Sequence, residues 1–138
     1  MDANVPKRES CLLPPSELAP AHARRFVIET LARWGVADTF GDVPLITSEL
    51  VTNAVRHAET SVTVSVDLAA ERVRVEVRDL SEQLPVKADV TAAHDGGWGL
   101  HIVERLSSRW GHVPHGGGKT VWCEVDTSSG PVEPADRF

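Results

Sequence analysis

Hydrophobic and polar positions alternate strictly in two neighbouring segments near the middle of the chain, 62–68 and 73–79. Alternation with a period of two is typical of a β-strand with one buried face. The short spacer between the segments favours an antiparallel hairpin. A third segment, 120–126, follows a glycine-rich turn and predicts the last strand, and a short strand is predicted just before that turn, after Trp110 and Gly111.

Three other segments have the spacing of amphipathic helices. They are 16–34, 45–58 and 99–106. Gly35 suits a left-handed cap at the end of the first helix, and Asp42 and Pro44 are typical of a helix start. The elements together predict an α+β two-layer sandwich, with a mainly antiparallel sheet of about four to five strands and about three helices on one face.

Length and composition indicate one folded domain. The chain has 138 residues, of which 41% are hydrophobic and 25% charged, which is the balance of a globular protein. The two ends look loose by composition, since the last residues are rich in proline and glycine. We therefore expect a partly flexible N-terminal segment at 1–14, a folded domain at 15–126 and a C-terminal tail at 127–138.

Charge and apolar content exclude several classes of protein. The net charge is −6, and such a surface repels phosphate backbones, so sequence-independent nucleic-acid binding is disfavoured. No apolar run approaches the roughly 18 residues of a membrane span, and the proline-rich N-terminus does not suit a secretory signal. We expect a cytoplasmic protein in which Cys11 and Cys123 are reduced thiols rather than a disulfide or a metal site.

Candidate chemistry begins on the second helix, where Glu49, Asn53 and His57 follow one another at intervals of four along the edge of an apolar face. An asparagine oxygen suits Mg²⁺ held largely by phosphates, and a glutamate one turn away could accept a hydroxyl proton. The alternative for this row is a solvated helix edge.

Two further candidates follow along the chain. Asp79 ends a strand, where a carboxylate could accept from an exocyclic amine and so select adenine, or could simply cap the following loop. Glycines 96, 97 and 99 lead into an apolar helix and could bring backbone amides to a phosphate, although a flexible loop has the same composition. The dinucleotide fingerprint is excluded because Ile102 stands where its third glycine belongs. The Walker-type phosphate loop is excluded because Val113 stands at its first glycine.

The order of these motifs is more specific than any one of them. The sequence contains Glu49-Leu-Val-Thr-Asn53-Ala-Val-Arg-His57, then Asp79-x-Ser81-x-x-x-Pro85, then Gly97-x-Gly99-Leu-x-Ile-Val with Arg109-Trp110-Gly111, and Gly118-Lys-Thr120 before a strand. Over residues 12 to 126 the chain resembles the Bergerat-fold ATPase superfamily of gyrase, chaperone, histidine-kinase and mismatch-repair ATPases. It most resembles the stand-alone bacterial anti-sigma-factor serine kinases.

The resemblance implies a role for each matched residue. Glu49 would be the catalytic base, Asn53 the ligand of Mg²⁺ bound through ATP phosphates, and Asp79 the reader of the adenine amine. The remaining implied nucleotide contacts are His57, Gly97, Trp98, Gly99, Leu100 and Thr120, with Thr120 assisting Asp79 and 80–96 forming a lid. Two positions depart from the pattern: the Asp79 box lacks a Gly-x-Gly ending, and Trp98 replaces a small or basic residue.

The implied function is that of an ATP-binding anti-sigma factor and protein-serine kinase. Such a protein sequesters a sigma factor and phosphorylates the antagonist that would displace it, which requires ATP and Mg²⁺ and allows a homodimer. The alternative is a nucleotide-binding regulator that sequesters a partner without kinase activity. Glu49 favours the kinase, whereas the unusual lid favours the sequestering protein.

Overall fold

The computed structural model describes residues 6–36, 41–81 and 99–127, without the His57 side chain. The described strands are β1 (Lys7–Leu13), β2 (Val62–Ala69), β3 (Arg72–Asp79), β4 (Arg109–His115) and β5 (Gly118–Asp126), and the helices are α1 (Ala19–Arg33), α2 (Asp42–Ala58) and α3 (Gly99–Leu106). The strands form one sheet in the order β1-β2-β3-β5-β4, and each neighbouring pair is antiparallel. This confirms the predicted α+β architecture.

The helices cover one face of the sheet because successive strand residues point to opposite sides. In β3 the side chains of Val73, Val75 and Val77 are buried, while the intervening Arg74 and Glu76 lie on the open face. The helix α2 packs against α1, α3 and β3. It therefore lies next to the strand that ends at Asp79 and next to the helix that begins at Gly99.

The end of α1 has the predicted left-handed glycine. Gly35 has φ of +74°, its N–H donates to Ala32 O at 3.1 Å, and the N–H of Val36 donates to Leu31 O at 2.9 Å. These two bonds are the pair found in a Schellman motif, which satisfies carbonyls at the end of a helix.

Several predicted boundaries are wrong. Residues 7–13, which composition placed in a loose N-terminal segment, form an edge strand paired with β2 in register from Lys7 opposite Leu68 to Leu13 opposite Val62. Short alternating strands with charged residues give a weak compositional signal, and pairing with β2 orders this one. The first helix begins at Ala19 rather than at 16, β4 begins before Trp110, and the predicted tail lies outside the described residues beyond 127.

The predicted cap of α2 is also wrong. Gly41 is the N-cap residue, with φ of +70°, and no side chain caps the helix. Asp42 is instead the first helical residue, where its carboxylate is favourably placed in the first turn.

The open face of the sheet carries a network of arginines and carboxylates. Glu124 of β5 accepts hydrogen bonds from Arg74 of β3 and from Arg109 of β4, both at 2.8 Å. The Arg74 guanidinium also lies 4.3 Å from the centre of the Trp122 ring. Cross-strand charge pairs of this kind stabilise the sheet.

Both cysteines are free, as predicted. Cys11 of β1 is half-buried, and Cys123 of β5 is fully buried in the core. Burial raises the pKa of the Cys123 thiol to about 12, so the thiolate that reactive cysteines need is not formed at neutral pH.

Candidate functional site

The second helix presents Glu49 and Asn53 at the margin of its buried face. Ile46 and Leu50 are buried in the core, whereas both polar side chains are half-buried. The spacing of four residues places Glu49 and Asn53 one above the other on the helix. The side chains of Glu49 and Asn53 are therefore neither fully solvated nor part of the core, which fits residues that bind a ligand at the domain surface.

Partial burial raises the pKa of the Glu49 carboxyl above its ordinary value, and the positive charge of Arg56 opposes this shift in part. Water stabilises a carboxylate better than a partly apolar surrounding does, so the protonated form is favoured. A carboxylate whose pKa is raised toward neutrality is a stronger base, which suits a group that accepts a hydroxyl proton.

Asp79 at the end of β3 is almost completely buried, with 1% of its surface exposed. Its Oδ1 accepts a hydrogen bond of 2.8 Å from the backbone N–H of Ser81, two residues further on. This is the loop-capping geometry that the sequence left as an alternative. Its Oδ2 is buried and has no hydrogen-bond partner among the described residues. One carboxylate oxygen therefore holds the loop, and the other keeps lone pairs that a ligand could use.

Oδ2 lies beside Lys119, a residue that sequence reasoning did not single out. Its Nζ lies 2.9 Å from Asp79 Oδ2, and its side chain is only 5% exposed. Asp79 and Lys119 are direct partners in the register of β3 and β5. The contact is an ion pair by distance, but its angles do not give a hydrogen bond.

The position of Lys119 had a signal in the sequence. Val121 and Cys123 are apolar residues at alternate positions of the last strand, and a period of two places Lys119 on the same face as these two residues. In the structure all three are buried.

Thr120 does not lie beside Asp79, so no contact among the described residues supports its predicted role in assisting that carboxylate. Its side chain points to the face of β5 opposite to that of Lys119, which is the open face of the sheet, and its Oγ1 is 3.0 Å from His115 Nε2. The register partner of Asp79 is Lys119, one residue before Thr120. Because side chains alternate along a strand, a shift of one residue moves the hydroxyl to the opposite face.

Gly118 lies directly against Asp79. A Cβ at this position would be 2.2 Å from the Asp79 carbonyl oxygen. A side chain would therefore push the first residue of β5 away from the end of β3.

The phosphate turn is described only in part. Gly97 and Trp98 lie outside the described residues, as does the predicted lid beyond Ser81. Gly99 is the first residue of α3. The Leu100 side chain is 1% exposed and belongs to the core, so Leu100 could contact a ligand only through its backbone in the first helical turn. The His57 side chain is likewise outside the description.

The arrangement brings the remaining candidates onto neighbouring elements. Glu49 and Asn53 lie on α2, Asp79 ends β3, Gly99 begins α3, and α2 packs against both β3 and α3. A buried carboxylate oxygen without a hydrogen bond fits an amine donor, and the half-buried Glu49 and Asn53 fit the Mg²⁺ and phosphate end of a nucleotide. Within the described chain no group of three or more His, Cys, Asp or Glu side chains is placed to hold a metal ion.

The family model of the histidine kinase-like ATPase domain matches residues 14–124. The chain belongs to this family, which confirms the predicted Bergerat-fold superfamily and implies ATP binding. No curated protein matches the sequence.

Solved structures are also similar. The crystal structure of the RsbU and RsbW domains of Rv1364c from Mycobacterium tuberculosis has a TM-score of 0.67 and 26% identity, over 87% of this chain and 32% of that chain. A histidine kinase domain from the Erythrobacter litoralis EL346 blue-light activated histidine kinase has a TM-score of 0.47 and 22% identity, over 63% of this chain and 44% of that chain. The chain thus spans 32% of the Mycobacterium protein's solved chain. Among the described helices, none has the length and apolar character needed to cross a bilayer.

Proposed function

We propose that this protein is an ATP-dependent anti-sigma factor and protein-serine kinase. It sequesters a sigma factor and phosphorylates a serine of the antagonist protein that would otherwise displace it. The observation that carries the chemical part is the half-buried Glu49, whose pKa is raised by burial, one helical turn before Asn53. The order of motifs along the chain and the similarity to the RsbU and RsbW domain structure support the choice of this branch.

In this proposal the nucleotide is held at two ends. Asp79 accepts from the base, and Asn53 binds the Mg²⁺ that accompanies the phosphates and offsets their charge. Glu49 takes the proton from the substrate serine as its oxygen bonds to the γ-phosphorus, and the bond to the bridging oxygen breaks to leave ADP. The product serine carries about −1.5 to −2 charge, which disrupts a close docked surface and releases the antagonist.

The test is incubation of the purified protein with γ-labelled ATP, Mg²⁺ and candidate antagonist proteins. Label on an antagonist serine is expected, and Glu49→Ala is expected to lower its rate by roughly 10²-fold, the scale for loss of a general base. Nucleotide binding by Glu49→Ala, measured by calorimetry, is expected to remain because the carboxylate is not a ligand of the base. An unchanged rate of transfer in the variant would remove Glu49 from the chemistry.

A second candidate is a regulator that binds nucleotide and sequesters a partner without transferring phosphate. The unusual lid sequence favours it, because the Asp79 box lacks the Gly-x-Gly ending of the superfamily pattern. The same incubation separates the two functions. Capture of a sigma factor in the presence of ATP, with no label on any antagonist from wild type or variant, would establish the second candidate.

A further inference from the structure

Lys119 and Asp79 place two opposite charges side by side in the interior. Both residues are nearly inaccessible, with 4% and 1% of their surface exposed. A buried ion pair gains little stability over apolar side chains of the same size, because both charges lose their water. Stability therefore explains a counter-charge beside the buried Asp79, but it gives no reason for an ion pair here instead of apolar side chains.

The geometry of the pair leaves hydrogen-bonding capacity at one point. Oδ1 of Asp79 is engaged by the Ser81 N–H, but the Lys119 ammonium lies beside Oδ2 without the alignment of a hydrogen bond. An ammonium group has three N–H donors, and a carboxylate oxygen has two lone pairs. The end of β3 and the start of β5 thus present an acceptor directly beside a donor.

We propose that Lys119 reads the nucleobase together with Asp79. Asp79 Oδ2 accepts from the 6-amino group of adenine, and the Lys119 ammonium donates to the adjacent ring nitrogen N1. The amine and N1 are neighbouring donor and acceptor groups on one edge of adenine, so they complement the neighbouring acceptor and donor of the pair. This inference rests on the proposed ATP binding and makes Lys119 a specificity-determining residue of that site.

The first test uses the wild-type protein and three ligands in calorimetry: ADP, 1-deaza-ADP and GDP, each with Mg²⁺. In 1-deaza-ADP a C–H replaces N1, so the acceptor is lost while the amine remains. We expect 1-deaza-ADP to bind roughly 10- to 100-fold more weakly than ADP, the range for losing a hydrogen bond to a charged group. GDP has a carbonyl and an N–H at these positions and is expected to bind at least as weakly as 1-deaza-ADP.

The second test uses Lys119→Met, which keeps the length of the side chain and removes the donor. We expect ADP affinity to fall to that of 1-deaza-ADP, and the affinity for 1-deaza-ADP itself to stay within about twofold, since the missing partner is already absent. Asp126→Asn is the matched control, because its exposed side chain lies at the opposite end of β5. It should discriminate between ADP and 1-deaza-ADP as the wild type does. Wild-type binding alone decides the matter if Lys119→Met does not fold.

The outcomes separate this inference from the function on which it rests. No binding of ADP to the wild type would overturn both. Tight ADP binding with equal affinity for 1-deaza-ADP would overturn the role of Lys119 alone, as would tighter ADP binding by Lys119→Met, which would show that the ammonium obstructs the site. GDP binding tighter than ADP binding would overturn the assignment to adenine.

Discussion

The Cα of Gly118 lies so close to the backbone of Asp79 that a Cβ would sit 2.2 Å from the Asp79 carbonyl oxygen. The requirement for glycine is steric, because no positive φ is involved at this residue. It keeps the start of β5 against the end of β3, where Lys119 and Asp79 are register partners.

We expect Gly118→Ala to destabilise the protein by about 1–3 kcal/mol, the usual cost of forcing an extra carbon into a packed site. Gly116→Ala is the matched control, since no atom lies within 4 Å of a Cβ at that position. Urea unfolding followed by circular dichroism measures both variants. Equal stability of the two would mean that the strands separate without cost at this point.

The buried pair should show energetic coupling. Asp79→Asn leaves the Lys119 ammonium without its counter-charge, and loss of one partner of a buried pair costs about 3–5 kcal/mol. The double variant Asp79→Asn/Lys119→Met removes both charges. We expect it to be more stable than Asp79→Asn alone, as measured by thermal melts without nucleotide.

Additive losses in these two substitutions would contradict the coupling. They would mean that each side chain is stabilised by its own surroundings rather than by the other. The comparison does not depend on nucleotide binding, so it tests the structure of the pair by itself.

Strict periodicity explains why most of the fold could be predicted from the sequence. The alternation in β2 and β3 specifies both the strands and the buried face, and the glycine at 35 ends α1 as expected. The edge strand β1 was not predicted, because it is ordered by pairing with β2, a long-range contact that leaves no local signal in the sequence. The N-cap of α2 was misplaced by one residue, at Asp42 instead of Gly41, because glycine and aspartate both occur at helix starts.

The positions of the candidate residues could be predicted where each of them lies on a clearly patterned helix or strand. Asp79 at the end of a strand and the row of Glu49 and Asn53 on a helix are of this kind. The resemblance assigned Thr120 to assist Asp79, whereas in the structure Lys119 is the register partner of Asp79 and Thr120 lies on the other face of the sheet. Alternation along the strand is the stronger criterion, because the face of a strand residue follows from the pleat.

Asn53 should matter for nucleotide binding more than its neighbour Thr52. Thr52 Oγ1 donates to Ser48 O at 2.7 Å, so its hydroxyl is used within the helix. We expect Asn53→Ala to remove most of the rise in melting temperature caused by MgATP. Without ligand, its free energy of unfolding should fall by about 1 kcal/mol or less. Thr52→Ala is the control and should keep the MgATP shift. A large loss of stability in Asn53→Ala with an intact MgATP shift would make the residue structural.

The open face gives a prediction about acid. Hydrogen bonding to Arg109, together with Arg74, holds the pKa of Glu124 below its ordinary value of 4.5. A carboxyl group whose pKa is lowered by folding stabilises the protein at pH values above its ordinary pKa. This stabilisation is lost as the pH falls through the folded-state pKa. We expect Glu124→Gln to cost about 2 kcal/mol at pH 7, as for hydrogen bonds to a charged group, and the difference from wild type to shrink below pH 4.5.

The control for Glu124 is Asp126→Asn. Asp126 also accepts from Arg109, but its side chain is 58% exposed, so the pair is screened and contributes little. Urea unfolding at several pH values measures both variants. A loss in Glu124→Gln that persists unchanged in acid would mean that the carboxylate charge is not its source.

Glu49 should show the opposite pH dependence. Its pKa is raised by burial above the ordinary value of 4.5, so the folded protein binds this proton more tightly than the unfolded chain does. The contribution of Glu49 to stability is therefore largest at pH values below the pKa of the unfolded state, and it is lost as the pH rises through the pKa of the folded state. Glu49→Gln removes the carboxylate, so we expect it to melt above wild type at pH 7, with the gain vanishing below pH 4.5. Glu17→Gln, at an exposed position, serves as the control. If Glu49→Gln raised the melting temperature equally at both pH values, burial of the Glu49 charge would not be what destabilises the native helix edge.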